Sequence, residues 1–524
     1  MRHPLTLTLA LAVACSSQEA ALSPRDGADF DVTDATDADW AAPDGDTDAD
    51  FGEPEEEDSM ADLAPAQADI YVLVASPERD TVTRIRVADL RVDTAPVGRM
   101  PTVVRVTDDY RTAVILNRGE DTVTILSTSD LQSQTVPIRQ NMNQVVVSPG
   151  GRWAVAFHDE AAIRDDDPPP VGVQSFNEVS FIDLVRGRHT PMVVGYDPKD
   201  VRFTPDGDTA VIVADESLAI VDLTASPLFP ELVEITDDLV SPPPAEEVAI
   251  APSGRYAFVR QFGASDLAVV DLRDLTVNRV PVGTNPTDLD LTPDGVKAAI
   301  VARGSEEVYL LDVEDPFSPP EIIDLPAGEL LGSLQFAPDG RTGVLYTTAT
   351  QTDRYATWSV VPGDVTLRSL VKPVSSVSIS PTGGTLLLFH GAADAPDADP
   401  SSPFKGSPAL TVVDLDDFRN NPMKLPSKVT GLATSDDGRT GYFTLQNRPL
   451  LEVLDFDSLI AEEIPLLSNA VFVGVLPDLD PDDDTPTQAW VSQEHTLGRI
   501  SFYDPTDASL QTITGFELNA RIEE

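Results

Sequence analysis

Apolar residues from Ile70 onward gather in short runs of alternating or β-branched composition, and none of the runs has helical spacing. "WAVAF" from Trp153, "AVIVA" from Ala210, "YAFVR" from Tyr256, "AAIVA" from Ala298, "GVLYT" from Gly343, "LLLFH" from Leu386 and "GYFTL" from Gly441 each read as a buried strand. A second run follows, such as "LAIVDL", "LAVVDL", "VYLLDV", "LTVVDL" or "LEVLDF", and then a more polar strand such as "NRVPVG". Another strand precedes each group. In it Val145, Val201, Val248, Leu289, Leu334 and Val377 hold one position, and Val147, Phe203, Ile250, Leu291, Phe336 and Ile379 hold the position two further on. A period of two puts both columns on one face, where they pack.

The turn that joins the first two strands recurs along the chain. "VVVSPGG" ends at Gly151, "RFTPDG" at Gly207, "AIAPSG" at Gly254, "DLTPDG" at Gly295, "QFAPDG" at Gly340, "SISPTG" at Gly383 and "ATSDDG" at Gly438. Degenerate copies end at Tyr110 and Leu479. Proline presets φ at the first turn position, and Gly or Asp tolerates the left-handed conformation at the end. The copies lie about 41 to 56 residues apart, the spacing of an array of supersecondary units. Four short strands per unit, repeated, define an all-β fold: a β-propeller of four-stranded blades. About ten units are countable, within an expected range of seven to ten. The first unit, residues 70–98, shows three strands and no inner one. Residues 517–522 are expected to supply it, so that N- and C-terminal strands close the ring and leave no free edge.

Pro281-Val282-Gly283, Pro286 and Thr292-Pro293-Asp294-Gly295 form a phrase whose first half returns as Pro96-Val97-Gly98 with Pro101. The pattern resembles the YVTN family of β-propeller repeats over residues 68–524. That resemblance implies an architecture and leaves the activity open, because propellers host unrelated functions. Propeller lactonases share such repeats and hold a divalent metal in the channel with Glu, Asn and Asp. Glu247, Asp288 and Asn143 are the nearest candidates here, and they make a metal-dependent lactonase-like hydrolase the alternative expectation.

The chain opens "MRHPLTLTLALAVACSS". Arg2 precedes an apolar segment from Leu5 to Val13, too short to span a bilayer. Residues 1–14 therefore read as a cleaved export signal. Leu11 to Cys15 resembles a bacterial lipobox, in which the cysteine receives the lipid, although Ala12-Val13-Ala14 also fits an ordinary cleavage site. Lipidation at Cys15 implies an outer-membrane lipoprotein that touches membrane through its N-terminal lipid alone. Without it the protein is expected to be secreted or periplasmic. Residues 15–67 are rich in Asp, Glu, Ala and Pro with no apolar period, which predicts a disordered acidic linker ahead of a propeller at 68–524. Asp44, Asp46 and Asp48 alternate like calcium-loop ligands, with Glu55 at the twelfth position, but Ala49 stands where such a loop needs Gly.

The formal net charge of −53 repels nucleic acid and anionic membrane surfaces, leaving an unidentified protein or glycan as the expected partner. Cys15 is the single cysteine, so no internal disulfide forms. No Cys-x-x-Cys-His is present, and His3, His158, His189, His390 and His495 lack zinc-like spacing. No Gly-x-Ser-x-Gly, His-Glu-x-x-His or P-loop stands out, so no catalytic residue is assigned. Five residues before the turn proline stand Gln144, Asp200, Glu247, Asp288, Ser333 and Ser376. In a single ring they sit at one channel mouth, where Gln144, Asp200, Glu247 and Asp288 are the candidate ligand or cation site. Calcium is the cofactor such carboxylates would hold, and no other is expected. The leading expectation is a non-catalytic binding scaffold on the cell envelope. The insertions from Asp159 and from Gly391 are its candidate recognition loops.

Overall fold

The structure, a computed structural model, describes residues 65–516 except 69, 161–162, 164–175, 237–242, 262, 397 and 477–487. Strands occur in groups of four, each group an antiparallel meander of consecutive strands, and ten such sheets follow one another. We number these blades 1 to 10 by their first strands. Those are Ala66–Ala68, Pro101–Val106, Gln144–Val147, Asp200–Phe203, Ala245–Ile250, Pro286–Leu291, Ser333–Phe336, Ser376–Ile379, Val429–Thr434 and Ala470–Val475. First strands of neighbouring blades touch, so they line the channel, and fourth strands such as Glu321–Asp324 and Ile460–Pro465 are the exposed outer edges. No helix among the described residues is long and apolar enough to cross a membrane.

A chain of this length would overfill one ordinary core. It builds ten smaller ones instead, each between two adjacent blades. Strand alternation sends side chains in both directions from each blade. In blade 2, Val104 joins the core shared with blade 1, and Val103 joins the core shared with blade 3. Second strands such as Trp153–Phe157 are buried along their whole length, which explains their uninterrupted apolar runs. The ring closes by packing: Val72 and Ile85 of blade 1 meet Trp490, Ile500 and Phe502 of blade 10, with Phe516.

Ring closure corrects one expectation. The inner strand of blade 1 is Ala66–Ala68, paired antiparallel with Tyr71–Leu73. Every blade is thus built from consecutive strands, and the place expected for residues 517–522 is filled; those residues lie outside the described ones. Three residues, two of them alanine, carry too little β-propensity to read as a strand beside an acidic linker. The signal segment, Cys15 and the acidic stretches at 44–58 and 478–486 also lie outside the described residues.

The recurring turn does two jobs. Within a blade, the first hydroxyl accepts from the backbone N–H five residues on: Thr204 from Thr209 at 3.0 Å, Thr292 from Lys297 at 3.0 Å and Ser435 from Thr440 at 2.9 Å. The same hydroxyl donates to the aspartate two residues on, Thr204 to Asp206 at 2.6 Å and Thr292 to Asp294 at 2.7 Å. That bond is the main reason the carboxyls of Asp109, Asp206 and Asp294 lie below the usual range. Between blades, the turn glycine abuts the preceding turn. Gly207 faces the Pro149 carbonyl, Gly254 faces Thr204 and Gly295 faces Pro252. The phrase therefore repeats because each copy is both a hairpin and the seat for the next copy.

Candidate functional site

The four candidate residues lie on the inner strands of blades 3 to 6, Gln144 and Asp200 as the first residue and Glu247 and Asp288 as the third, and each points away from the face that carries the packing columns. Val145, Val201, Val248 and Leu289, one residue on, pack against the preceding blade. The candidates therefore face the channel and the following blade. Gln144 opens its strand opposite Phe157. Asp200 accepts from Arg202 Nε at 2.5 Å and from the Val201 amide at 2.7 Å. Nearby, Lys199 pairs with Asp215 at 2.6 Å. Burial, reinforced by the Asp215 charge, holds the Asp197 carboxyl above the usual range.

Glu247 shares Arg260 with Glu246, at 3.1 Å and 2.6 Å. The Arg260 side chain is 11% exposed and also reaches the Pro286 carbonyl of blade 6 at 3.4 Å. Asp288 is 4% exposed. Its carboxylate accepts from the Leu289 amide at 2.9 Å and from the Leu334 amide of blade 7. Three of the four positions thus hold carboxylates that serve the ring: two are neutralised by arginine, and one ties two blades together. Among the described residues no three His, Cys, Asp or Glu side chains come together as metal ligands. The third lactonase candidate, Asn143, is buried and exchanges two hydrogen bonds with the Asp159 backbone, at 2.7 and 2.8 Å. Replacing Asp288 by Asn should cost about 1–2 kcal/mol, because a buried amide acceptor is weaker than a carboxylate for the Leu334 N–H. Urea unfolding with and without calcium checks this, and the loss is expected to be the same in both.

Arg260 escaped the sequence reading, because spacing along one strand does not reveal a cation arriving from the next; Arg202, two residues after Asp200 on the same strand, went unremarked. A second feature also escaped it. A small cleft between blades 8 and 9 is lined by Ser376, Phe389, His390, Leu425, Lys428 and Val429. Ser376 belongs to the same column as the four candidates. His390 is buried, with Nδ1 donating to the Pro373 carbonyl at 2.9 Å and Nε2 bonded to Thr411 at 2.8 Å. Burial pushes this imidazole down to about 4. Lys372 beside it is 1% exposed. Its ammonium donates to Asp394 at 2.5 Å and to the carbonyls of Ala392 at 3.1 Å and Phe404 at 3.4 Å. One of the two expected recognition loops, from Gly391, is therefore fastened to the ring by a buried cation. Most of the other, from Asp159, lies outside the described residues.

No protein-family model matches the chain, and no curated protein matches it in sequence. Solved structures do resemble it. A dihydro-heme d1 dehydrogenase, NirN, in complex with DHE is 15% identical with a TM-score of 0.45, over 69% of this chain and 74% of that one. A eukaryotic initiation factor is 10% identical with a TM-score of 0.49, over 76% and 97%. The β-propeller domain of Cps50 (Swd1) from Myceliophteria thermophila is 13% identical with a TM-score of 0.33, over 62% and 98%. The class is defined by the ten sheets themselves: the chain is a ten-bladed β-propeller.

Proposed function

We propose that this protein is an envelope lipoprotein, tethered through Cys15 and an acidic linker, whose propeller binds a protein or glycan partner without catalysis. The YVTN-like repeats and the lipobox-like segment support the architecture and the address. One observation carries the binding role. The end of the ring that bears the recurring turns also bears large, well-exposed apolar side chains in several blades. Tyr110 and Val296 sit in turns between first and second strands. Val185, Phe229, Phe317 and Val361 sit between third and fourth strands, at the same end. Val361 is 88% exposed. Exposed apolar side chains that recur at one end of a highly charged protein offer an interaction surface, while Tyr196, Leu330 and Leu467 stand exposed at the other end. By contrast, the carboxylates at the opposite mouth are engaged within the ring.

The test is expression of the full chain in a Gram-negative host, followed by intact mass, membrane partition and cross-linking to envelope components. A lipid-sized mass increment lost in Cys15→Ser is expected, as is a cross-linked partner lost in the double variant Phe317→Asp, Val361→Asp. Unmodified, soluble wild-type protein would remove the tether. A cross-link that survives the double variant would remove the turn-bearing face as the binding surface.

A further inference from the structure

An Asp-Gly bond rearranges readily without an enzyme, because glycine has no side chain to shield its amide and lets the backbone turn freely. Among the described residues there are four: Asp206-Gly207, Asp294-Gly295, Asp339-Gly340 and Asp437-Gly438. All four sit in the recurring turn between first and second strands, and their backbones match. The glycines have φ of +71°, +68°, +68° and +69°. Each glycine amide donates to the carbonyl three residues before it, at 2.7 to 2.8 Å. Each aspartate accepts from the amide two residues on, at 2.9 to 3.1 Å. The four turns differ in two other respects.

The first is the anchor on the carboxylate. Thr204 donates to Asp206 at 2.6 Å, Thr292 to Asp294 at 2.7 Å and Ser435 to Asp437 at 2.5 Å. In blade 7 the phrase is "QFAPDG", and Ala337 stands where the others have a hydroxyl. Besides the Arg341 amide, Asp339 has an ion pair with Arg341 Nε at 3.7 Å, whose side chains are 40% and 86% exposed. A pair so open to water holds a carboxylate weakly. The second difference is the seat against the preceding blade. A methyl on Gly207 or Gly295 would stand 2.6 Å from the preceding turn, and one on Gly438 would run into Thr382. At Gly340 the nearest atoms, in Pro293, lie 3.9 Å away.

Both differences bear on the chemistry. The Gly340 amide nitrogen attacks Cγ of the protonated Asp339 carboxyl. An N–Cγ bond forms, and the carboxyl hydroxyl leaves with the amide proton as water, closing a succinimide ring. Water then adds to the main-chain carbonyl of Asp339 and breaks its bond to the Gly340 nitrogen. The chain now runs through Cβ and Cγ as isoaspartate, with its composition unchanged. To start, the carboxyl must take a proton and swing toward the glycine nitrogen, and the turn must open. The Thr204 and Thr292 hydroxyls favour the ionised, unreactive carboxylate and fix its position. The close seat of Gly207 and Gly295 resists the opening. Blade 7 has neither restraint.

We propose that Asp339-Gly340 is a self-modification site, the first of the four bonds to convert to isoaspartate, because Ala337 replaces the hydroxyl that guards the bond in the other blades. The product carries one extra main-chain methylene inside a two-stranded turn, so the turn cannot keep its register. The Val360 amide donates to the Arg341 carbonyl at 2.9 Å. The altered turn therefore adjoins the connection that presents Val361, and the modification alters the turn-bearing end of blade 7.

The test ages the folded full chain for weeks at mildly acid pH and maps isoaspartate by electron-transfer fragmentation of its peptides. Isoaspartate is expected to build up at Asp339 about tenfold faster than at Asp206 and Asp294, the factor that one hydrogen bond to a carboxylate confers. Ala337→Thr should slow Asp339 to the rate of Asp294, and Thr292→Ala should speed Asp294 several-fold. In urea, where the turns are gone, the three sites should rearrange alike. Equal rates at Asp339 and Asp294 in the folded chain would overturn the proposal. A lead for Asp339 that persists in urea would also overturn it, because the cause would then be local sequence and not the turn. Should Ala337→Thr fail to fold, Thr292→Ala decides, and an unchanged rate at Asp294 would remove the hydroxyl as the guard.

Discussion

Gly207→Ala should destabilise the propeller by about 2–4 kcal/mol, whereas Gly150→Ala should cost only about 1–2 kcal/mol. Both glycines have positive φ, +71° and +74°, so alanine pays the same left-handed penalty at each. They differ in what the new methyl meets. At Gly150 nothing lies within 4 Å. At Gly207 the methyl would stand 2.6 Å from the Pro149 carbonyl oxygen, which belongs to the preceding blade's turn. That oxygen is backbone and has no rotamer to retreat into, so one turn must move against the other. Urea unfolding of the two variants separates the backbone penalty from the contact between blades. Equal losses would mean that stacked turns contribute nothing to holding neighbouring blades together.

The same positions show what the sequence discloses. Thr292-Pro293-Asp294-Gly295 announces its hairpin, because proline, aspartate and glycine each meet a local demand and no distant residue is needed. Repetition of that local demand reveals the blade and a count of about ten. Ala66–Ala68 was hidden for the opposite reason. It is a strand only because Tyr71–Leu73 offers it an edge. Asp200, Glu247 and Asp288 are legible as one column of the inner strands, since their common distance from the turn and the strand period fix a column. Their partners were not readable. Arg260 lies on the second strand of its blade, and the Leu334 amide lies a whole blade further on. Whether a carboxylate in the column faces a ligand or an arginine depends on pairing register across strands, which the repeat alone does not encode.

His390 should make the propeller lose about 2 kcal/mol of stability between pH 7 and pH 5, and His390→Gln should abolish that loss. In the unfolded chain an imidazole takes its proton near pH 6.5. In the folded ring, burial between blades holds His390 down to about 4. Between those values the unfolded state binds the extra proton, so stability falls as the pH falls, and the loss is complete once the folded group titrates. Glutamine is the informative replacement, because Gln261 and Gln493 already stand at the end of the second strand in blades 5 and 10, where each holds its incoming connection. It can keep the bond to Pro373 without titrating. The turn aspartates act in a separate, lower window. Their depressed carboxyls stabilise the fold above about pH 4, and that contribution is lost as acid protonates them. Unfolding free energies at pH 7 and pH 5 for both proteins isolate the histidine, since the large negative charge and the turn carboxylates are common to both. The same slope in wild type and His390→Gln would mean that the imidazole titrates freely and that blade 8 is open to water at its inner end.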